Sequence, residues 1–316
     1  MQDRAKRPIF IGFFFYMGNN NNDNMIGLAL GSGAAFGLAH IGVLHILEKE
    51  RIPIGIVSGA SMGALIAAMW GIGLSSRDIE GISEKMKRKL NIMRLLDFTF
   101  PITGILAGKR LKRFLRIILG DKTFEDTKIP VKIIVYDLAN RETITVDSGR
   151  LVDAVYKSIA VPGIFQPIVE EGRMFVDGGV LDPVPVDILF ASGAKKVIAV
   201  NVLPGPRNIC ERNMALKEVA KEEENVLRQG TLDEKIGVHM TRFFRKTFTP
   251  NIFDVIMTSM QAMEYSIAEI SCSRASVSLH PVLSDAASTD FHLVKKFIKI
   301  GEEETIRNIE KIRFVV

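Results

Sequence analysis

Residues 53–71 read Pro53-Ile54-Gly55-Ile56-Val57-Ser58-Gly59-Ala60-Ser61-Met62-Gly63-Ala64-Leu65-Ile66-Ala67-Ala68-Met69-Trp70-Gly71. Residues 53–58 predict a short apolar strand, and 62–71 predict a helix that starts almost at once. The join is a GxSxG sequence, Gly59 to Gly63 around Ser61. A turn this tight brings backbone against the positions two residues either side of the serine, where only glycine fits. It lifts the hydroxyl clear of the sheet and sets it at the helix N-terminus, whose positive end favours the negative charge that develops on an attacked ester. A turn of small residues serving only close packing is the alternative. The strand before it and the helix after it are the context a nucleophile requires, so Ser61 is read as one.

The alternation of strand and helix continues on both sides of this turn. Residues 26–30 predict a strand, followed by a Gly-rich turn from Gly31 and a helix through about Glu50. Further strands are expected at 131–136, 143–146, 174–176, 196–201 and 276–280, and helices at 151–159, 184–192 and 292–313. This is the pattern of an α/β protein whose mainly parallel sheet is covered on both faces. No repeat or Pro/Ser-rich linker divides it, so residues 25–316 are expected to form one domain. Residues 1–24 stand apart: Arg4, Lys6 and Arg7 precede a Phe-rich apolar run and then Asn19 to Asn22. No small-x-small cleavage site follows, and the segment reads as a disordered tail or a start assigned too early.

With 47% hydrophobic and 24% charged residues in 316, the chain is neither disordered nor a disulfide scaffold. Its two cysteines, Cys210 and Cys272, are expected as reduced thiols. No apolar run reaches the 18 or so residues of a membrane span. The net charge is +5, yet residues 85–119 alone hold ten basic residues against Asp97, a local +9 that leaves −4 for the rest. Apolar residues at helical spacing interleave with these charges. Such a basic amphipathic segment suits contact with an anionic membrane surface, or a solvated helix that packs its apolar side. Nucleic acid is not expected, because no recognition motif accompanies the charge. The charge-dense stretch 211–246 reads as a solvated helix.

Gly31-Ser32-Gly33-Ala34-Ala35-Phe36-Gly37 follows the first strand and exposes a row of backbone N–H groups. A dinucleotide site is not expected, since Phe36 stands where the third glycine belongs and no acid closes the second strand. An oxyanion is the other anion such a loop can hold, and Ser61 supplies the reason for one. A triad written with His280 or His292 lacks a Gly-framed loop to present the imidazole. Asp177 is different, because Asp177-Gly178-Gly179 ends an apolar strand with an acid beside two residues that let another group approach closely.

Together these pieces resemble the patatin-like phospholipase family, in particular the bacterial branch that is similar to the catalytic domain of neuropathy target esterase. The resemblance runs from Met25 to about Glu304. It is carried by the Gly-rich loop leading into Leu38-Ala39-His40-Ile41-Gly42-Val43-Leu44, by the GxSxG, by Ser158-Ile159-Ala160-Val161-Pro162-Gly163-Ile164-Phe165-Gln166-Pro167, and by Asp177-Gly178-Gly179. It implies a three-layer α/β/α fold and a Ser-Asp dyad without histidine, with Ser61 as nucleophile and Asp177 as base. It also implies an oxyanion hole formed by the N–H groups of Gly31, Ser32, Gly33 and Ala34. Gly59, Gly63, Gly178 and Gly179 support these groups, and neither metal nor cofactor is called for. The implied activity is hydrolysis of lipid acyl esters; a cytoplasmic location is expected, with peripheral membrane contact through 85–119 as one of the two readings that the basic segment leaves open. The rival readings are a non-catalytic lipid-binding module and an acyltransferase of the related transacylase fold, a group that usually carries histidine where Ala60 stands. Two positions depart from the family pattern: Phe36 replaces a common Arg or Lys, and Asp182 a common Asn. Asp182 is expected to raise the pKa of Asp177 by like-charge repulsion if it faces the site.

Overall fold

The computed structural model describes residues 25–89, 108–211 and 252–316, with single positions 214 and 218. The tail at 1–24, most of the charged stretch 211–246, and residues 90–107 of the basic segment lie outside the described residues.

Eight strands form one sheet: β1 (Ile26–Leu30), β2 (Ile54–Ala60), β3 (Val131–Asp137), β4 (Glu142–Val146), β5 (Ile168–Glu170), β6 (Arg173–Asp177), β7 (Lys196–Val200) and β8 (Val277–Leu279). The run β3-β2-β1-β7-β8 is parallel, whereas β4 and β6 pair with β3 antiparallel and β5 pairs with β6 antiparallel. The helices are α1 (Ala39–Lys49), α2 (Met62–Gly71), α3 (Ser76–Lys89), α4 (Lys109–Leu119), α5 (Leu151–Ser158), α6 (Asp187–Ala191), α7 (Ile252–Cys272), α8 (Val294–Arg307) and α9 (Ile309–Val315).

Successive strand side chains point to opposite faces, and here both faces are covered. Leu28, Leu30, Ile198 and Val200 join a core with α1, α2, α5 and α8. Their sequence neighbours Ala29, Val197 and Ala199 join a second core with Val184, Val186, Leu189, Ala268 and Cys272. The result is the three-layer α/β/α architecture. Three local departures from expectation have simple causes. Pro183 and Pro185 precede α6 and delay its start, because proline disfavours helix in the residue before it. The expected helix over 292–313 breaks at Asn308 into α8 and α9. β5 and β6 form an unforeseen hairpin through Glu171 (φ 50°) and Gly172 (φ 77°), the two positive values of a type I′ turn.

The register of β3 decides where function can sit. β2 pairs with its first half, ending at Ala60 opposite Ile134, and β6 pairs with its second half, ending with Asp177 opposite Val135. β4 covers Ile133 to Asp137 along the other edge, so β2 and β6 share one edge and meet there. Residue 61 and residue 177 therefore leave the sheet at neighbouring positions, although 116 positions apart in the chain.

α1 and α8 cross closely beside this point. A Cβ on Gly42 would lie 1.9 Å from the Ile298 carbonyl oxygen, and one on Gly301 would lie 2.1 Å from that of Ala39. Backbone cannot yield as a flexible side chain can. Gly301→Val is expected to lower the unfolding free energy by about 3 kcal/mol, read from urea denaturation midpoints at constant m.

Candidate active site

Ser61 stands at φ 54°, ψ −120°, between the end of β2 and the first residue of α2. A residue with a Cβ adopts such a conformation only at a cost of order 1–3 kcal/mol, so its surroundings must hold it. The two motif glycines make the tight turn possible. A Cβ on Gly59 would lie 2.5 Å from the Gly63 carbonyl, and one on Gly63 would lie 2.1 Å from the Leu30 carbonyl oxygen. The Ser61 N–H donates to Ser158 Oγ at 2.9 Å, and that hydroxyl donates onward to the Ile134 carbonyl at 2.7 Å. Two residues later, the Ala160 carbonyl accepts the Asp177 N–H at 3.0 Å. The end of α5 thus grips the backbone of both residues.

The Ser61 hydroxyl favours the charged form of the Asp177 carboxylate, whose Oδ1 accepts the Gly179 N–H at 2.7 Å. Both side chains are buried. Burial pushes Asp177 up to about 6, outweighing the Ser61 hydroxyl and the Gly179 N–H, which favour its charged form. Gly178 is required here as well, because a Cβ on it would lie 2.2 Å from the Ile134 carbonyl oxygen.

The Gly-rich loop presents fewer donors than its sequence offers. The Gly31 N–H donates to the Val200 carbonyl at 3.0 Å and the Ser32 N–H to the Pro183 carbonyl at 2.8 Å, while the Ala35 N–H bonds the Ser288 carbonyl. Those of Gly33 (φ 152°) and Ala34 (φ 48°) have no protein acceptor among the described residues. Two of the four expected oxyanion donors are therefore occupied by the fold, and Gly33 and Ala34 are the two left free. His40, fully buried in α1, donates from Nε2 to the Gly31 carbonyl at 2.8 Å, and burial lowers its pKa to about 4. It is a neutral loop anchor. Phe36 is a second anchor: it is buried edge-on against Phe297 of α8, with ring centroids 6.0 Å apart. An apolar contact thus fixes the loop at this position.

The neighbouring acids do not follow the sequence expectation. Asp182 is raised to about 7 by burial and by the charge of Asp187, against the attraction of Arg274, and it takes no part in shifting Asp177. The acid that does feel Asp177 is Glu264 on α7, raised to about 8 by burial and by the Asp177 charge. α7 packs its inner face on the turn Gly178–Val180. His280 bonds Glu269 and His292 faces Asp290, so neither histidine completes a triad.

The sequence pattern of patatin-like phospholipases matches residues 28–190, which span the loop, Ser61 and Asp177. The chain belongs to the patatin-like phospholipase family. It is 33% identical over 186 residues to neuropathy target esterase of Drosophila melanogaster, covering 57% of this chain and 13% of that protein. It is also 33% identical over 192 residues to an uncharacterized NTE family protein of Mycobacterium tuberculosis, covering 60% and 53%. The lysophospholipase NTE1 of Meyerozyma guilliermondii is 26% identical over 286 residues, 89% of this chain and 19% of that one. The chain thus spans from about an eighth to about half the length of these relatives. Among solved structures, VipD of Legionella pneumophila superposes with a TM-score of 0.52 at 13% identity, covering 91% of this chain and 66% of that one, a likeness of fold.

Within this patatin-like frame, Ser158 and Glu264 are the residues that sequence reasoning left without a role. Ser158 lies inside a segment that carried the family resemblance, which was the available signal; Glu264 had none. Removing the Ser158 hydroxyl leaves the Ser61 N–H without its buried acceptor. Ser158→Ala is expected to cost about 1–3 kcal/mol of unfolding free energy, measured by chemical denaturation, whereas Ser158→Cys retains part of it.

Proposed function

We propose that the chain is a serine lipid acyl hydrolase working through a Ser61–Asp177 dyad. The observation that carries this reading is the meeting of β2 and β6 on one edge of β3, which brings Ser61 to a buried Asp177 whose basicity is raised. Asp177 takes the Ser61 proton as Oγ attacks the acyl carbonyl, and the Gly33 and Ala34 N–H groups receive the oxyanion. Collapse of the tetrahedral intermediate transfers that proton from Asp177 to the departing alcohol and leaves an acyl-enzyme. Water then attacks the acyl carbon, Asp177 takes its proton, and a second collapse returns the proton to Ser61 Oγ as the fatty acid leaves. An aspartate near 3.8 is a poor base at neutral pH; one near 6 loses little ionised fraction and gains proton affinity. Membership of the patatin-like phospholipase family and similarity to a lysophospholipase favour glycerophospholipid or lysophospholipid esters as substrates.

The test is covalent labelling by a fluorophosphonate ester over a range of pH. Labelling is expected to vanish in Ser61→Ala and to slow by about 100-fold or more in Asp177→Asn. In the wild type its rate is constant above pH 7 and falls tenfold per unit below about 6, because protonated Asp177 cannot accept the serine proton. Undiminished labelling of Ser61→Ala would exclude this nucleophile.

The same reading includes contact with an anionic lipid surface through α4. Leu115 and Leu119 turn inward, and Lys112 pairs with Asp153 at 2.8 Å, whereas Arg113 and Arg116 are exposed beside Ile117, which is 77% exposed. No helix among the described residues is long and apolar enough to cross a membrane. Each basic residue near an anionic surface contributes on the order of 1 kcal/mol. Replacing both Arg113 and Arg116 with Gln should weaken partition onto phosphatidylglycerol vesicles by about 30-fold at low salt. Unchanged partition in a sedimentation assay counts against this surface.

A further inference from the structure

The last turn of α7 carries Glu269 and Cys272, three residues apart and so on one helix face. His280 follows β8 directly. The donor atoms of these three side chains lie within 4.8 Å of one another. Glu269 Oε1 accepts the Asn201 side-chain amide at 2.7 Å and lies 3.0 Å from His280 Nε2. Asn201 is fully buried, and its own Oδ1 accepts the Leu203 N–H at 3.0 Å, which fixes the amide that orients Glu269. Cys272 is buried, and its carbonyl accepts the Ser278 hydroxyl at 2.7 Å, tying the end of α7 to β8. The cluster therefore joins the ends of α7, β7 and β8, apart from the Ser61–Asp177 pair.

We propose that Glu269, Cys272 and His280 bind a divalent cation of the zinc class, with a fourth coordination position facing solvent. The donor set selects the metal. One sulfur, one imidazole nitrogen and one carboxylate oxygen suit Zn²⁺, whereas Ca²⁺ and Mg²⁺ require oxygen donors in greater number. Tetrahedral bonds of about 2.0–2.3 Å put ligand atoms about 3.3–3.8 Å apart, so rotations that draw these donors together by about 1 Å complete the site. Charge favours the same outcome. A thiolate, a carboxylate and a neutral imidazole around a doubly charged cation sum to zero, which a half-buried position tolerates. Without the cation, burial and the Glu269 charge push the Cys272 thiol up to about 12, so it keeps its proton. Metal binding transfers that proton to solvent, forms the metal–sulfur bond and changes no oxidation state. Asn201 supplies the outer hydrogen bond that holds a ligating carboxylate in place.

Co²⁺ reports such a site where Zn²⁺ is spectroscopically silent. Full-length protein, reduced and stripped with a chelator, is titrated with Co²⁺. A sulfur-to-cobalt charge-transfer band is expected to saturate at one equivalent and to disappear on addition of Zn²⁺. The band should be absent in Cys272→Ser and unchanged in Cys210→Ser. His280→Ala, at an exposed position that spares the fold, should weaken Co²⁺ affinity by about tenfold or more. No band in the wild type, a band of full intensity in Cys272→Ser or unaltered affinity in His280→Ala would each overturn the proposal. None of these readouts depends on ester hydrolysis.

Discussion

The backbone at Ser61 is bent into φ 54°, ψ −120°, and much of the neighbouring structure exists to keep it there. Left alone, a residue with a side chain would relax from that conformation by about 1–3 kcal/mol. Pairing of β2 to β3 up to Ala60 delivers the chain to the bend, and the helix that starts at Met62 takes it away. The Ser158 hydroxyl closes the bracket by joining the bent residue to the Ile134 carbonyl, in the strand that also carries Asp177 opposite Val135. One edge of one strand thus serves as the common ruler for Ser61 and Asp177. The tight glycine contacts follow from this, since backbone approaches backbone wherever the bend is packed.

Much of this was legible in the sequence, for identifiable reasons. Ser61 lies between two glycines and Asp177 is followed by two, and glycine leaves a visible mark because it stands where no other residue fits. The strands carried compact apolar runs, so β1, β3 and β7 lie close to where they were expected. α7 did not announce itself, because Val255, Ile256, Met263 and Ile270 spread its apolar residues onto the exposed side and blur the period. The division of labour in the Gly-rich loop was equally hidden. Four consecutive N–H groups look alike in sequence; Val200 and Pro183, far along the chain, decide which of them are spent on the fold. Ser158 resembles any serine ending a helix until Ile134 and Ser61 are placed beside it.

The acids around Ser61 and Asp177 illustrate why burial outranks charge counting. Asp182 is closer in sequence to Asp177 than any other carboxylate, yet its electrostatic neighbours are Asp187 and Arg274. Glu264 is 87 positions away and senses Asp177 directly. Because Asp177 ionises first, near 6, and Glu264 near 8, neutral solution finds one of the two charged and the other protonated.

Phe36 meets Phe297, the Ala35 N–H meets Ser288, and Gly42 meets Gly301. In every case the first partner lies in the early part of the chain that bears the recognisable motifs, and the second lies beyond residue 280. The region by which the family is recognised is consequently packed against chain that lies beyond it. A protein ended shortly after residue 190 would possess each motif residue and yet leave the Gly-rich loop without its apolar anchor and α1 without the helix it crosses. Motif and packing unit are different divisions of this molecule, and the residues beyond 280, which hold none of the motif residues, belong to the second.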